Sequence, residues 1–561
     1  MQHSHKFRQN EGVALLIAAI FIAVAVIIIG ALGMRVINAS RQAQEFEYFA
    51  EAFNGAQSGY AQSVANLEAG ATGNIGLGTW APPAGGTSIV LPSFGADAAQ
   101  LTPATLLGSP AVQYVSYVDN WFTDSIDNNS NGAIDDVTER DYYTVYAFAR
   151  AHGIERGIEA VVKAVDVNVW RNAIFAGNGQ AGGLINGNVS IHGAVHLLGG
   201  SLPVGGVAVD ALDLSGTSLI HNNYTGIPAD LASRVPALPT RTLNGEVVQT
   251  LNANLRVKKG LVGMSGNSEI GEANIAGNAL KETMDGTYVG DGWTGTSVNN
   301  DGGRGDPTRL YSDNGWDNGY DMGDKVPMPF LSNDWRDPVT GATVINPATG
   351  VNYTHAEYFH ANLAQTPYTG NMTIKANQNF YYNATHPTQT DPALRAATDH
   401  YIYFNAATNV MYINGQIEVN GDLSIQRGTG SDKSITYTGR AAILVNGNTS
   451  LDTDLTSQNA DGTTAMSFPA NNFFGIMASG NMTVGSISQL NLMGAFYAQG
   501  TVTSTKQTIT MGTFVGNYFN MGTNVPEIYQ VPTLADNLPM GMIGAYPILI
   551  FSQVSWREVS Q

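Results

Sequence analysis

The sequence predicts a mainly β protein of the α+β class: one long N-terminal helix, then a β-sheet head, then an irregular β-helix or solenoid-like region. Three observations predict it. An uncharged run from Gly12 to Met34 passes without a proline into a second, amphipathic stretch. Short β-branched and aromatic runs begin at Val112. Beyond residue 175, a five-residue motif opening on Gly-Asn or Gly-Asp recurs six times.

Composition narrows the function classes. With 561 residues the chain is too long for one small core. The absence of cysteine excludes thiol nucleophiles, disulfides, thiolate zinc sites and iron–sulfur clusters. A net charge of −19 argues against a basic nucleic-acid face and against tight docking on anionic lipid. Only 13 % of residues are charged, while 64 are glycine, a balance that suits an extracellular β-rich scaffold.

The 23 residues from Gly12 to Met34 suffice to cross about 30 Å of hydrocarbon as a helix. A cleaved secretory peptide usually has an apolar core of about 7–15 residues ending in a small-x-small site. Here the run is longer, and its one such site, Ala31 and Gly33, lies inside it. Lys6 and Arg8 precede the run and Arg35 and Arg41 follow it, so charge alone leaves the orientation open; the long acidic tail is placed outside. From Arg35 to Ala69, Phe46, Phe49, Phe53, Tyr60, Val64 and Leu67 recur at helical steps, with Gln and Glu between them. One helix from Gly12 to Ala69 would be about 85 Å long, ended by Gly70, Gly73 and Pro82. Ala18, Ala19, Ala23, Ala25, Gly30, Ala31 and Gly33 permit close helix approach.

A short basic leader, Gly12 and a continuous apolar helix running into an amphipathic half resemble a type IV prepilin with a class III leader. The segment from Glu11 to Ser63 is most similar to the N-terminus of PilX-like minor pilins. The resemblance covers about the first sixty residues. It implies that a prepilin peptidase cuts after Gly12 and methylates the new amino terminus at Val13. It also implies that the helix leaves the inner membrane to bundle with other pilin subunits. The fifth mature position is Ile17 where major pilins usually carry glutamate, which points to a minor subunit; Glu11, just before the cut, is atypical.

The chain is therefore expected to divide into a leader (1–12), a long helix with a transmembrane N-terminal half (13–69), a pilin-like sheet head (70–175), a solenoid-like domain (176–520) and a C-terminal strand region (521–561). Residues 70–110 read as loop. Residues 112–118 and 142–148 read as alternating strands, and 157–170 as a longer one with Val161, Val165, Val167 and Val169 on one face. The recurring motif stands at 187–191, 266–270, 370–374, 421–425, 447–451 and 480–484. Glycine with Asn or Asp makes a sharp corner, and short strands opened by such corners build a β-solenoid. The spacings are 79, 104, 51, 26 and 33 residues, without a fixed period. A right-handed β-helix with large insertions fits, as does a stack of irregular hairpins. Residues 284–328 form an Asp- and Gly-rich surface excursion, and 546–559 a final strand with Trp556 packed on the core.

The sharpest chemical motif is 127–139. Asp127, Asn129 and Asn131 stand at positions one, three and five of an EF-hand-type calcium loop, with Gly132 at six, the Ala133 carbonyl at seven, Ile134 at eight and Asp135 at nine. Position twelve is Thr138, so Asp136 or Glu139 would supply the last carboxylate. The alternative is an Asn/Asp-rich turn. The Arg304-Gly305-Asp306 tripeptide carries little weight in so glycine-rich a chain. His355, Glu357 and His360 are out of order for a zinc-protease helix, and His192 and His196 read as core or solvated residues that could share a strand face. Neither a G-x-S-x-G elbow nor a phosphate-binding loop is present.

The expected function is that of a non-enzymatic PilX-like minor pilin, acting in pilus assembly, adhesion or cell–cell contact. It would be single-pass in the inner membrane before assembly and extracellular in the pilus afterwards, calcium would be its bound ion, and its partners would be other pilins, the prepilin peptidase and a host, cell or surface ligand. The alternative is a membrane-anchored cell-envelope β-helix protein that binds or cleaves polysaccharide.

Overall fold

Ser4–Glu68 form one α-helix of 65 residues, α1, about 98 Å long. The structure is a computed structural model. It describes residues 4–82, 90–129, 134, 139, 141–177, 190–199, 210–243, 246–271, 283–289, 309–312, 325–428, 434–487, 489–521 and 526–559, with backbone only at 4–12, 210, 241, 243 and 246. From Val13 to Glu47 every side chain of α1 is exposed. Burial begins at Tyr48 and follows Ala52, Gly55, Ala56, Gly59, Ser63 and Leu67, at steps of three and four. The helix closes on Gly70 at φ 77°, a left-handed position that suits glycine, whose N–H donates to Leu67 O at 3.0 Å.

The chain divides into two compact units, one of residues 1–165 and 549–561, the other of 166–548. The divisions thus fall at 165/166 and 548/549, not at the expected 175/176 and 520/521.

In the first unit, β1 (Ala104–Leu106), β2 (Ser109–Asn120), β3 (Tyr142–Ala151), β4 (Ile154–Asp166) and β5 (Leu549–Val559) form one sheet in that order. β1 to β4 pair as antiparallel neighbours. α1 lies on one face of this sheet. The seam is built from small residues: a Cβ at Gly55 would stand 2.6 Å from Val112 Cγ1 and 2.7 Å from Ala149 Cβ. The aromatic stripe expected to form this face instead flanks it, and Phe46 is 73 % exposed. The opposite face carries Val115, Tyr146 and Phe148, covered by Trp80, Phe94 and Leu101 from the loop after α1. In β4 the buried residues are Ile158, Ala160, Val162 and Ala164, one step out of phase with the expected Val161 and Val165. Trp556 is 53 % exposed and does not pack on the core.

The second unit is a solenoid-like stack of parallel strands. Its lowest rung holds Tyr368–Thr369 and Met372–Lys375. Above it, in parallel register, lie Val410–Gln426, then Ser434–Asp452, then Asp454–Val484, then Asn491–Ser504, then Ile509–Asn520. The next level is made from both ends of the segment. Ile174–Ala176 lies on Phe514–Gly516, and Glu527–Tyr529 lies on Ile509–Met511. The stack then continues through Ser190–His192 and Val195–Leu197, then Leu219–His221 and Asn254–Val257, then Glu269–Ile270 and Gly286–Val289. The chain therefore joins the stack at mid-height, reaches one end with Gly286–Val289, begins again at the other end with Tyr368–Thr369, and climbs back to its starting level. The two ends of the segment are tied at the base, where Val167 N donates to Ile548 O at 2.8 Å and Ile548 N to Asp166 Oδ1 at 3.0 Å.

Four of the six Gly-Asn/Asp corners form a single column. Asp422 N donates to Asn371 Oδ1 at 2.9 Å, Asn448 N to Asp422 Oδ1 at 2.8 Å, Asn481 N to Asn448 Oδ1 at 2.9 Å, and Thr501 N to Asn481 Oδ1 at 2.8 Å. The preceding glycines let the rungs close on one another: a Cβ at Gly447 would lie 2.5 Å from Asp422 Oδ1, and one at Gly500 2.3 Å from Asn481 Oδ1. The corner at 266–270 stacks in a separate place, on Gly216, with Asn267 N donating to Gly216 O. The corner glycine at 187 lies outside the described residues, while Ser190–His192 pairs in the stack. In the Asp-rich excursion, Gly286–Val289 forms a strand, and 290–308 and 313–324 lie outside the described residues.

Candidate functional site

Two features of the first unit bear on function: the bare half of α1 and the acidic loop after β2. The span Val13–Glu68 has a most apolar window with mean hydropathy 3.3, none of it buried. By length and composition it can cross a membrane. Leu15, Phe21, Ile27 and Ile29 are all at least 68 % exposed, which water tolerates poorly and lipid or neighbouring apolar helices tolerate well. The backbone is helical through Gly12, and Val13 is the first residue of the apolar face. The lower half of α1 is anchored beyond the small-residue seam. Tyr114 Oη donates to Gln62 Oε1 at 2.7 Å, Tyr48 stacks on His152 with ring centroids 4.0 Å apart, and the Arg156 guanidinium lies 3.9 Å over the Phe49 ring.

In the acidic loop, Asp127, Asn129 and Glu139 are described, whereas Asn131, Ala133, Asp135 and Asp136 lie outside the described residues. Glu139 is buried, and its Oε1 accepts from Asn128 N at 2.7 Å and Asn129 N at 3.1 Å. Its Oε2 is buried without a hydrogen-bond partner among the described residues. Thus the last carboxylate of the motif folds back on its first residues. Ile134, the apolar residue at position eight, is 62 % exposed. Two carboxylates that the motif did not include stand beside the loop. Asp124 accepts from Ile126 N at 2.8 Å and from Asn128 Nδ2 at 2.5 Å. Burial, and then the neighbouring Asp124, push the Asp119 carboxyl up to about 7. Among the described residues, no cluster of three or more His, Asp and Glu is arranged to hold a metal ion.

The histidine candidates separate. His355 is buried with Nε2 2.9 Å from Gly541 O, Glu357 closes a capping box with Thr354, and His360 Nδ1 lies 2.7 Å from Glu418 Oε2. His192 and His196 lie on different strands, not on one strand face. His192 is sandwiched between His221 at 4.4 Å and Tyr529 at 4.1 Å, and His196 meets the Phe175 ring edge-on at 5.1 Å. Residues 304–306 lie outside the described residues.

No protein-family model matches the sequence, and no curated protein matches it. Among solved structures, the crystal structure of the competence-associated pilin ComZ from Thermus thermophilus is similar, with TM-score 0.46 and 18 % identity, over 91 % of this chain and 97 % of that one.

Proposed function

We propose that the protein is a PilX-like minor subunit of a type IV pilus or related filament. The observation that carries this is the division of α1: one uninterrupted helix has an entirely exposed apolar half and a second half fixed to its own antiparallel sheet. A simple anchor needs the first half alone. A helix that trades lipid for sister helices needs a rigid continuation that carries a head, and the small residues from Ala18 to Gly33 suit close packing. The prepilin peptidase recognises the leader, cuts after Gly12 and methylates Val13. The helix starts in the inner membrane and ends in the extracellular filament. The large unit from Asp166 to Ile548 would crowd a dense homopolymer, which favours few copies or a tip position. No step of this role, whether assembly, adhesion or cell–cell contact, needs catalysis. The test is to shear surface filaments and probe them with antibody to the head. The chain is expected in the fibre fraction, and a Gly12→Leu variant is expected to remain with the membrane; equal absence of both from fibres would refute the assignment.

We further propose that loop 127–139 holds calcium through Asp127, Asn129, Asn131, the Ala133 carbonyl, Asp135 and either Asp136 or Glu139. Glu139 Oε2, buried and without a donor among the described residues, supports this, since a buried carboxylate oxygen lacking a donor is costly unless a cation faces it. Calcium at a hundredfold its dissociation constant would stabilise the folded loop by about 2.7 kcal/mol. Melting of the detergent-solubilised full chain is expected to move upward in calcium relative to EGTA. Identical curves would count against the site.

A further inference from the structure

Beyond assembly, the end of β2 brings together two carboxylates that the calcium-type motif at 127–139 does not include. Asp119 pairs across the sheet with Thr144 and is 3 % exposed. A turn follows, in which Thr123 N donates to Asn120 O at 3.0 Å and Phe122 N to Asn120 Oδ1 at 3.1 Å. It carries Asp124 back until its carboxyl lies within hydrogen-bonding reach of the Asp119 carboxyl. Trp121, between them in the chain, is fixed on β3: its Nε1 donates to Thr144 Oγ1 at 2.7 Å, and its ring stacks on Tyr142 with centroids 5.2 Å apart.

The donors at hand do not neutralise the pair. Tyr117 Oη reaches Asp119 Oδ1 only at 3.5 Å. Asp119 Oδ2 is buried without a donor among the described residues. Asp124 is better served, by Ile126 N and Asn128 Nδ2. Among the described residues, neither carboxyl forms an ion pair with Lys, Arg or His. Two carboxylates in contact do not both stay ionised unless something positive lies with them, either a proton or a metal ion. A buried carboxylate oxygen without a donor makes the same demand.

We propose that Asp119 and Asp124 bind a calcium ion of their own, distinct from the ion of loop 127–139 and not dependent on it. Carboxylate and water oxygens suit a hard cation. Asp124 is half-buried, which leaves the ion a route from solvent, and water fills the positions that the two carboxylates leave open. With so few protein anchors the affinity belongs with extracellular sites, at about 10⁻⁴–10⁻³ M. The two ions would be neighbours, because Asn128 joins their walls: its Nδ2 donates to Asp124 and its N to Glu139.

The test is calcium titration of the full chain in detergent, read by calorimetry. Two ions per chain are expected. Asp119→Asn and Asp124→Asn each remove a charge with little change of shape, and each is expected to weaken the same one of the two ions by about tenfold or more, the range of a lost charged ligand. Asp127→Asn is expected to weaken the other. In the Asp127→Asn chain, terbium emission excited through Trp121 should persist and should be lost when Asp119→Asn is added. If Asp119→Asn fails to fold, the half-buried Asp124→Asn decides alone. Calcium binding indifferent to Asp119→Asn and Asp124→Asn would mean that the pair shares a proton, and would overturn the proposal while leaving the loop site standing. A single ion weakened by all three variants would overturn it too, since the two sites would then be one. A single ion weakened by Asp119→Asn and indifferent to Asp127→Asn would uphold it and remove the loop site instead.

Discussion

At the scale of single residues, small side chains decide how closely parts of this molecule approach. Gly55 and Gly59 let α1 sink onto β2 and β3, with Ala52 and Ala56 fully buried between them. Substituting Gly55→Leu would force the helix off Val112 and Ala149, a cost of about 1–3 kcal/mol by overpacking. Chemical denaturation followed by the fluorescence of Trp80, in the loop that covers the head sheet, should show it as an earlier midpoint. In the corner column, Asn448→Ala removes the acceptor for Asn481 N. The expected loss is about 1–2 kcal/mol, the range for a removed backbone cap; an unchanged melting temperature would mean that water replaces it. The Gly-Asn/Asp corners were legible in the sequence, because their chemistry is local and repeated. The α1 seam was not, because a search for large apolar residues at helical spacing selects Phe46 and Phe53 and passes over Ala52, Gly55 and Gly59.

At the scale of elements, the stack holds histidines that must stay neutral. Burial, reinforced by His221, pushes His192 down to about 3; burial, with Arg256 and Lys258 nearby, does the same to His196; and burial lowers His355 to about 4. Above pH 6.5 both folded and unfolded histidines are neutral and carry no penalty. As pH falls below 6.5 the unfolded chain takes up protons that the folded stack refuses, so stability falls until pH reaches the depressed folded values. Each histidine contributes at most about 1.4 kcal/mol per pH unit over that window. Urea midpoints of the full chain should drop between pH 6.5 and pH 4, and His196→Phe should flatten the slope. An equal slope in that variant would exclude His196 as a source. The acidic loop stands between legible and hidden. Its Asp/Asn spacing announced it, but the return of Glu139 to Asn128 and Asn129, and the proximity of Asp119 and Asp124, depend on the β2–β3 pairing that brings distant residues together.

At the scale of the whole molecule, the solenoid-like unit is an insertion between the last two strands of the head sheet. Nothing local in the sequence reveals this. β5 lies hundreds of residues from its neighbour β4, and the level shared by Ile174–Ala176 and Glu527–Tyr529 joins opposite ends of the inserted segment. The motif spacing was irregular because the connections between rungs differ in length: from Gly370 to Gly480 chain order and stacking order agree, yet the corners stand 51, 26 and 33 residues apart. The hydrogen bonds between Asp166, Val167 and Ile548 show that the insertion leaves and returns at one place. Deleting 168–547 and closing the gap with a short Gly-Ser turn should therefore leave a folded, cooperative head, checked by a single melting transition and retained near-ultraviolet dichroism. A molten product would mean that the sheet depends on the inserted unit.

The most direct measurement is intact mass spectrometry of the chain recovered from sheared surface fibres. The expected product is a polypeptide that begins at Val13 with one added methyl group on its amino terminus. A chain that still carries Met1 to Gly12, found in membranes and absent from fibres, would contradict it.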